Sequence, residues 1–338
     1  MISMTSKKPR GLFVLDEWAY DQIYGEELGA AVGERLELVA PPMTHGELTS
    51  RLEVLQDVEI IMGGWGMGVM NEEFLAAAPN LRAVFHGAGS IKGVVSDAFW
   101  QRDIKIVSAY VMNAVPVAEF TIASILFSLK HGWKYALGMQ REGKYLRKTG
   151  VMPGAFRTTV GIISLGAIGR RVVELLKAFD LRVLVYDPHY TPAAAKELGV
   201  ELVSLEEIFT RSHVVSLHAP WLPETEGLIT GAHFASMREG ATFLNTARGI
   251  IVREQEMIDV LRVRPDLTAV LDVTKPEPPL PDSPLLTLPN VVLTPHIAGA
   301  MDEECRRMGY FLVDELDCYL KGETSKWRLS REQMAWMA

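Results

Sequence analysis

The chain has 338 residues, of which 48% are hydrophobic and 22% are charged, a mix that fits two ordinary globular domains with sizeable cores. Its formal net charge of −8 argues against a general affinity for nucleic acid or for anionic membranes, because both need a basic face. The amino terminus runs into a strand-like segment without the apolar stretch of a signal peptide, so we expect a cytoplasmic protein whose partner is a small molecule.

Short β-branched runs alternate with helical patterns in the first part of the chain. The runs are GLFVLD, LELVA, VEIIM, LRAVFH and IKIVSA. This alternation predicts a parallel sheet covered by helices. A long apolar run then follows, and it contains Pro116 and Glu119. These two residues favour a buried helix, from about Val117 to Leu129, over a membrane span.

The strand pattern restarts after a stretch containing glycine and lysine, around residues 141–158. The new runs are TTVGIIS, RVLVYD, HVVSLHA, ATFLNTA, LTAVLDV and NVVLTPH, and they predict a second and larger α/β domain. The proline-rich residues 275–284 predict a loop. A final helix, from about Met301 to Leu320, carries both cysteines, Cys305 and Cys318, too far apart for a disulfide.

The segment TTVGIISLGAIGRRVVELLKAF predicts a strand, a turn of small residues and a helix whose apolar positions run to Phe179. This is the context that a dinucleotide-binding fingerprint requires. Gly166 stands where the backbone must approach a pyrophosphate, and Gly169 where helix and strand pack closely. Ser164 replaces the first glycine of the fingerprint, so we interpret the turn as a variant of it.

The next strand ends at Asp187, near the spacing at which an acidic residue binds the ribose hydroxyls of the cofactor. An aspartate before a proline is also a common turn, but the joint match with the small-residue turn favours a dinucleotide site. The carboxylate would repel the extra phosphate of NADP, and no arginine follows closely, so we expect NAD. His189 and Lys196 leave the alternative open, since either could lie near a phosphate.

An arginine, a carboxylate and a histidine stand at or just beyond later strand ends. They are Arg248 in NTARG, Glu277 in LDVTKPEP and His296 in NVVLTPHIAGA. Taken singly, each has a plain alternative: a surface charge, a loop carboxylate and a histidine packed beside a proline. Ligands of open parallel sheets bind at the carboxyl ends of the strands, so we expect the three groups to converge on one crevice.

With these motifs in this order, the chain resembles the NAD-dependent D-2-hydroxyacid dehydrogenases over nearly its whole length. The segments that carry the resemblance are NAVPVAEF, HGAGS, GLITGAHFASMREGATFLNTARG and LPNVVLTPHIAGA. It implies an α/β protein with two doubly wound parallel-sheet domains. Residues 1–110 and 300–338 would form a flavodoxin-like substrate domain, and residues 111–299 a Rossmann-like NAD-binding domain. It also implies a homodimer.

The resemblance further implies roles for individual residues. His296 would be the general acid and base, Glu277 the partner that fixes its tautomer, and Arg248 the clamp on the substrate carboxylate. Asp272 would hold the nicotinamide carboxamide, and no metal is expected. The implied NAD contacts are Ser164, Gly166, Ala167, Ile168, Gly169, Asp187, His218, Ala219, Pro220, Thr246, Ala247, Asp272 and His296. The implied substrate contacts are Trp65, Ala88, Gly89 and Arg248.

The substrate is expected to be a small 2-oxo acid without a phosphate. Between Arg51 and Arg82 the sequence has no lysine or arginine, whereas a phosphate would need one nearby. Lys92 opposes this argument, and a phosphoglycerate dehydrogenase remains an alternative. Another alternative is an NAD(H)-responsive corepressor, for which Trp327 and Trp336, expected to be exposed, would bind a partner protein unless they pack on a dimer.

Overall fold

Two compact units make up residues 7–334, the part of the chain that the computed structural model describes. The first unit comprises the described residues up to Asn113 and those from Ala300 onward, and the second is Ala114–Gly299. Each unit has its own sheet, and every strand pair in both sheets is parallel. The predicted fold class, α/β with two parallel sheets, is confirmed.

The first unit holds a five-stranded sheet in the spatial order β2-β1-β3-β4-β5. Its strands are β1 (Arg10–Val14), β2 (Glu37–Leu38), β3 (Ile60–Gly63), β4 (Ala83–His86) and β5 (Lys105–Ser108). Its first helices are α1 (Glu17–Ile23), α2 (Gly25–Arg35), α3 (His45–Thr49), α4 (Glu72–Ala77) and α5 (Asp97–Trp100), with a 3₁₀ turn at Leu52–Asp57. The central strands are buried along their length, as expected for parallel strands covered on both faces.

The apolar run after β5 forms α6 (Tyr110–Ser128), which starts earlier than the predicted Val117 and passes through Pro116. By length and composition alone this helix could cross a membrane, but half of its apolar window is buried inside the protein. Glu119 lies on the exposed side of the helix. These observations favour the predicted buried helix.

The second unit holds a seven-stranded sheet in the order β12-β11-β10-β9-β6-β7-β8. Its strands are β6 (Phe156–Ile163), β7 (Asp180–Tyr186), β8 (Glu201–Leu202), β9 (Val214–Leu217), β10 (Thr242–Asn245), β11 (Thr268–Leu271) and β12 (Val291–Leu293). Its helices after α6 are α7 (Gly132–Glu142), α8 (Ala167–Leu176), α9 (Pro192–Leu198), α10 (Leu205–Arg211), α11 (Gly231–Ser236) and α12 (Glu254–Val263), with 3₁₀ turns at Gly249–Ile251 and Pro284–Leu286. The two-residue strand β8 was not predicted.

Helix α8 is shorter than its apolar pattern suggested. It ends at Leu176, so the prediction that Phe179 belongs to it is wrong. The chain must turn within three residues to enter β7 at Asp180, and Phe179 bonds back to the carbonyl of Leu176 in that turn. Val172, Val173 and Leu176 form the buried face of α8 against the sheet.

The chain returns to the first unit through α13 (Glu303–Leu320), and α14 (Arg331–Met334) follows. Helix α13 begins at Glu303 rather than at Met301, and Cys305 and Cys318 are both free thiols, as expected. Its buried face belongs to the same apolar cluster as residues of the five-stranded sheet and of α1 and α2. Members of this cluster are Phe13, Ile23, Val32, Phe85, Met308, Leu312 and Leu316.

Trp327 is not exposed as predicted. Its side chain is partly buried, and its ring lies 6.3 Å from that of Phe311 and 6.5 Å from that of Tyr110. The cause is the short antiparallel bridge between Val107 and Arg328, which holds this segment against the sheet. Trp336 lies outside the described residues.

Candidate active site

Most residues predicted to bind the cofactor or to catalyse follow strand ends at one edge of the seven-stranded sheet. Ser164 follows β6, Asp187 follows β7, Arg248 lies beyond β10, Asp272 follows β11 and His296 lies beyond β12. The strand order reverses between β6 and β9, since β7 and β8 extend the sheet in one direction and β9 to β12 in the other. A parallel sheet opens its ligand crevice at such a reversal.

The turn between β6 and α8 has the features of a pyrophosphate cradle. Gly166 is the N-cap of α8 and makes no side-chain cap, so backbone N–H groups of the first turn stay available to an anion. A Cβ on Gly166 would meet no atom within 4 Å, whereas one on Gly169 would lie 2.0 Å from the carbonyl oxygen of Ser164. The turn therefore leaves space above Gly166 and permits only glycine at 169.

Ser164 adopts a φ of 77°, in the left-handed region that favours glycine. Its N–H donates to the carbonyl of Tyr186 at 2.8 Å, which ties the turn to the end of β7. Ser164 therefore adopts the backbone conformation that the first glycine of the fingerprint usually provides.

Asp187 lies at the end of β7, only 8% exposed. Its carboxylate accepts hydrogen bonds from the N–H of Leu165 at 2.7 Å and from the N–H of His189 at 2.9 Å. The side chain thus joins the end of β7 to the turn after β6. The ribose-binding role of Asp187 stays a prediction, and this second, local role was not foreseen.

The segment after β9 carries an uncharged histidine. Burial lowers the pKa of His218 to about 3, and its Nε2 lies 2.9 Å from Oγ of Ser216. The ring is therefore neutral, and its neighbour Ala219 is also buried. After β10, the side chains of Thr246 and Ala247 are both buried.

His296 and Glu277 form a hydrogen-bonded pair, with Nδ1 of the histidine 2.5 Å from Oε1 of the glutamate. Both side chains remain open to solvent, 48% exposed for His296 and 40% for Glu277. His296 has a left-handed φ of 55°, so the chain turns sharply at this residue. The pair could therefore meet a ligand, with Nδ1 already engaged and Nε2 available.

A buried carboxylate, Asp272, holds the loop that carries His296. Its Oδ1 accepts from the hydroxyl of Thr294 at 2.6 Å and from the N–H of Ile297 at 2.9 Å, and its Oδ2 accepts from the N–H of Ala298 at 2.9 Å. The N–H of His296 donates to the Asp272 carbonyl at 3.0 Å. These bonds show that Asp272 fixes the histidine loop. Its contact with the nicotinamide stays a prediction.

Arg248 is half-buried, and its Nη1 donates to the carbonyl of Ala247 at 2.7 Å. Burial lowers the pKa of the Arg248 guanidinium, and the negative charge of Glu277 opposes that shift. Glu277 therefore interacts with both His296 and Arg248, and the structure brings the three predicted groups together.

The loop around Arg248 is held by its neighbours. The amide of Asn245 accepts from the N–H of Ala247 at 2.9 Å and donates to the Arg248 carbonyl at 3.1 Å. A Cβ on Gly249 would lie 2.1 Å from the backbone of Thr274, so a larger residue would separate the two loops. Asparagine at a strand end before a turn is a signal for such a bond, and the sequence interpretation missed it.

The remaining predicted substrate contacts lie in the first unit, at the carboxyl edge of its sheet. Ala88 and Gly89 follow β4, and Trp65 follows β3. Trp65 stacks on Trp18, with ring centroids 5.5 Å apart, and the indole N–H of Trp18 donates to the Asp16 carboxylate at 3.3 Å. Sequence reasoning did not find Trp18 or Asp16. Among residues 7–334, no cluster of three acidic, histidine or cysteine side chains could hold a metal.

Comparisons with known proteins show what this chain is similar to. A family model described as "D-isomer specific 2-hydroxyacid dehydrogenase, NAD binding domain" matches residues 123–298. The chain is 34% identical over 253 residues to a D-3-phosphoglycerate dehydrogenase of Archaeoglobus fulgidus, covering 75% of this chain and 48% of that protein. It is 30% identical over 259 residues to a hydroxypyruvate reductase of Blautia hydrogenotrophica, covering 75% and 80%.

A solved structure shows the same fold. The NAD-complexed D-isomer specific 2-hydroxyacid dehydrogenase of Lactobacillus delbrueckii ssp. bulgaricus matches with a TM-score of 0.78 at 19% identity, covering 95% of this chain and 100% of that one. The chain spans about half the length of the phosphoglycerate dehydrogenases that it matches, 48% for the Archaeoglobus protein.

Proposed function

Because the chain belongs to the D-isomer specific 2-hydroxyacid dehydrogenase family, we propose that it is an NAD-dependent oxidoreductase that interconverts 2-hydroxy acids and 2-oxo acids. One observation carries the proposal. His296, Glu277 and Arg248 converge at the carboxyl edge of the seven-stranded sheet. At the same edge, the turn between β6 and α8 has the form of a pyrophosphate cradle. An acid–base group and a carboxylate-binding cation beside a dinucleotide turn are what 2-oxo acid reduction needs.

The cofactor is NAD, which in its reduced form supplies the hydride for C2 of the 2-oxo acid. The turn at Gly166 and Gly169 would hold the pyrophosphate, because it offers open space and the N-terminus of a helix. Asp187, at the end of the next strand, would bind the adenosine ribose and disfavour a 2′-phosphate. The uncharged segment His218–Pro220 would line the adenosine side.

His296 would move the proton. Its Nδ1 is bonded to Glu277, so Nε2 is the atom that would donate a proton to the carbonyl oxygen during reduction and accept it during oxidation. Glu277 would keep the ring in the required tautomer and orientation, as the carboxylate of a catalytic triad does. Asp272 would act one step further away, by holding the backbone on both sides of His296.

Arg248 would bind the substrate carboxylate and polarise the neighbouring carbonyl. A guanidinium presents two parallel N–H donors to a carboxylate, a geometry that a lysine ammonium does not reproduce. Its half-buried position strengthens the interaction, because the charge is partly removed from water.

We assign the substrate to 2-oxo acids with an uncharged side chain, such as glyoxylate, hydroxypyruvate or a larger apolar homologue. Trp65 and its partner Trp18 offer apolar surface at the carboxyl edge of the first unit, and the adjacent Asp16 carboxylate would repel a phosphate. The names of the phosphoglycerate dehydrogenase relatives favour the other candidate, a phosphorylated substrate. Ala88, Gly89 and Trp65 are proposed substrate contacts in either case.

A panel of 2-oxo acids tested with NADH separates these candidates. The proposal expects the highest kcat/KM for a member with an uncharged side chain. A clear preference for phosphohydroxypyruvate would establish the phosphoglycerate dehydrogenase alternative. No turnover of any member would favour the NAD(H)-responsive corepressor.

The protein is further proposed to be a homodimer. Helix α7 has no buried residue, and apolar side chains are exposed on the neighbouring segments: Phe127, Tyr145, Val151 and Phe156. Tyr145 and Val151 are 83% and 90% exposed, which is costly for a monomer and is explained if a second copy covers them. Sedimentation should give a dimer at micromolar concentration, and a monomer there would contradict the assignment.

A cytoplasmic location and the absence of nucleic-acid and membrane partners are also proposed. The net charge of −8 supports this assignment, because it disfavours polyanionic surfaces. A test is fractionation of the source cells, in which the protein should remain in the supernatant after membranes are sedimented.

A further inference from the structure

Ser108 is a fully buried serine at the last position of β5, directly across from His86 at the end of β4. Its Oγ lies 2.8 Å from the carbonyl oxygen of Ala88 and 2.6 Å from that of Gly89. The same oxygen accepts the N–H of Tyr110 at 3.3 Å. One hydroxyl proton is thus shared by two consecutive carbonyls of the loop that follows β4.

These two bonds fix the direction of the opposite groups of the same peptides. In a planar trans peptide the C=O and the following N–H point in opposite directions. Since the carbonyls of Ala88 and Gly89 point inward to Ser108, the N–H groups of Gly89 and Ser90 point away from it. Within residues 7–334, neither N–H donates a hydrogen bond to the chain.

Two consecutive backbone N–H groups that point the same way and have no acceptor within the described chain can bind one anion together. The side chain beneath the loop supplies no positive charge, because burial lowers the pKa of His86 to about 4 and leaves the ring neutral. The attraction of this loop for an anion therefore depends on how its amides are oriented.

We propose that Ser108 is a positioning residue that holds the amides of Gly89 and Ser90 in the orientation that binds the carboxylate of the substrate. The inference rests on the proposed function, and it adds the N–H group of Ser90 to the proposed contacts of Ala88 and Gly89. Without the hydroxyl, the two carbonyls lose their buried donor and turn outward to water, which turns the amides inward.

The test compares a 2-oxo acid with its methyl ester, since only the acid carries the carboxylate. The acid is the one that the wild-type protein reduces best, and the variants are Ser108→Ala and Ser108→Cys. The matched control is Ser212→Ala, because Ser212 is also fully buried and its hydroxyl has no partner within the described residues. The dissociation constant of NADH and the melting temperature are measured for each variant.

For Ser108→Ala we expect KM for the acid to rise about tenfold to a hundredfold, with a smaller change in kcat, because charge-assisted hydrogen bonds are lost. The kcat/KM for the ester and the NADH affinity should stay unchanged, so the ratio of acid to ester falls. For Ser108→Cys, which keeps a weak donor, the ratio of acid to ester should lie between those of the wild-type protein and Ser108→Ala. If Ser108→Ala does not fold, the same ratio measured on Ser108→Cys decides the question.

The inference is overturned if acid and ester lose activity in equal proportion, since that is the result of a merely structural serine. It is also overturned if Ser108→Ala leaves the kinetics of both the acid and the ester unchanged while the wild-type protein is active. A wild-type protein that reduces no 2-oxo acid instead overturns the proposed function, so the two failures are distinguishable.

Discussion

His296 and His86 both lie at the carboxyl ends of parallel strands, yet their surroundings are opposite. His296 lies beyond β12, 48% exposed, with its Nδ1 bonded to Glu277. His86 ends β4, is 2% exposed, and its Nδ1 has no partner within the described residues. Burial lowers the pKa of His86 to about 4, so its ring stays neutral near neutral pH.

The comparison teaches that a strand end by itself does not make a histidine catalytic. A proton-transfer group needs access to the ligand and a partner that fixes its tautomer, and His296 has both. His86 has no access to a ligand, because it is buried, and its ring bonds to the backbone of Ser90 in the loop that follows β4. Variants of the two residues should therefore differ: we expect His296 to act in catalysis and His86 to act on stability.

The largest effect is expected for His296→Asn. Loss of the acid–base group should lower kcat by a factor of about 10² to 10⁴, with folding and NADH binding preserved. A matched control is His131→Asn, because His131 also has a left-handed φ, 51°, and lies outside the site. Steady-state kinetics of both variants are the measurement, and near-normal turnover of His296→Asn would show that the assignment is wrong.

Arg248→Lys should have the next largest effect. The lysine keeps the charge and loses the two-pronged grip, so KM should rise and kcat should fall, for a combined loss of about tenfold to a hundredfold in kcat/KM. Arg253→Lys is the control, since Arg253 is an exposed residue paired with Glu256. A loss confined to KM would mean that Arg248 binds the substrate without polarising its carbonyl.

His86 should make the protein less stable as the pH falls. Its folded-state pKa of about 4 lies below the unfolded value of about 6.5, so the unfolded chain binds the extra proton first. The stabilisation is fully present above about pH 6.5 and is lost toward about pH 4, with a slope of at most about 1.4 kcal/mol per pH unit. Urea unfolding of wild type and His86→Asn at several pH values measures the difference.

His218 gives an independent check on this pH effect. Burial lowers its pKa to about 3, so His218→Asn should also reduce the loss of stability in acid. Parallel pH profiles for wild type and both variants would contradict the account, because the carboxylates, which are common to all three proteins, would then explain the whole effect.

The sequence predicted the strands and the groups beyond their ends, because buried parallel strands are continuous apolar runs and Arg248, Glu277 and His296 interrupt that pattern. It did not predict which residues hold those groups in place. Asp272 reaches the His296 loop, and Ser108 reaches the loop after β4, only because the strand register aligns their ends. Register depends on tertiary packing, so no local pattern contained these bonds.

Asp187→Asn should weaken the preference for NADH over NADPH by about tenfold, since it removes a charge that repels the 2′-phosphate. Asparagine is chosen over alanine because its amide oxygen can still accept one of the N–H groups, from Leu165 or His189, that the aspartate holds. Fluorescence titration with both cofactors is the measurement. Equal affinities in the wild-type protein would contradict the assigned specificity.

Ser164→Gly should give the smallest effect, a gain of about 0.5–1 kcal/mol in the free energy of unfolding. Ser164 holds a left-handed φ of 77° that glycine adopts without strain, although the added flexibility of the unfolded chain offsets part of the gain. Gly169→Ala is the opposite control, because its Cβ would lie 2.0 Å from the Ser164 carbonyl and should destabilise the protein. Thermal unfolding measures both, and a less stable Ser164→Gly would mean that the serine side chain itself stabilises the turn.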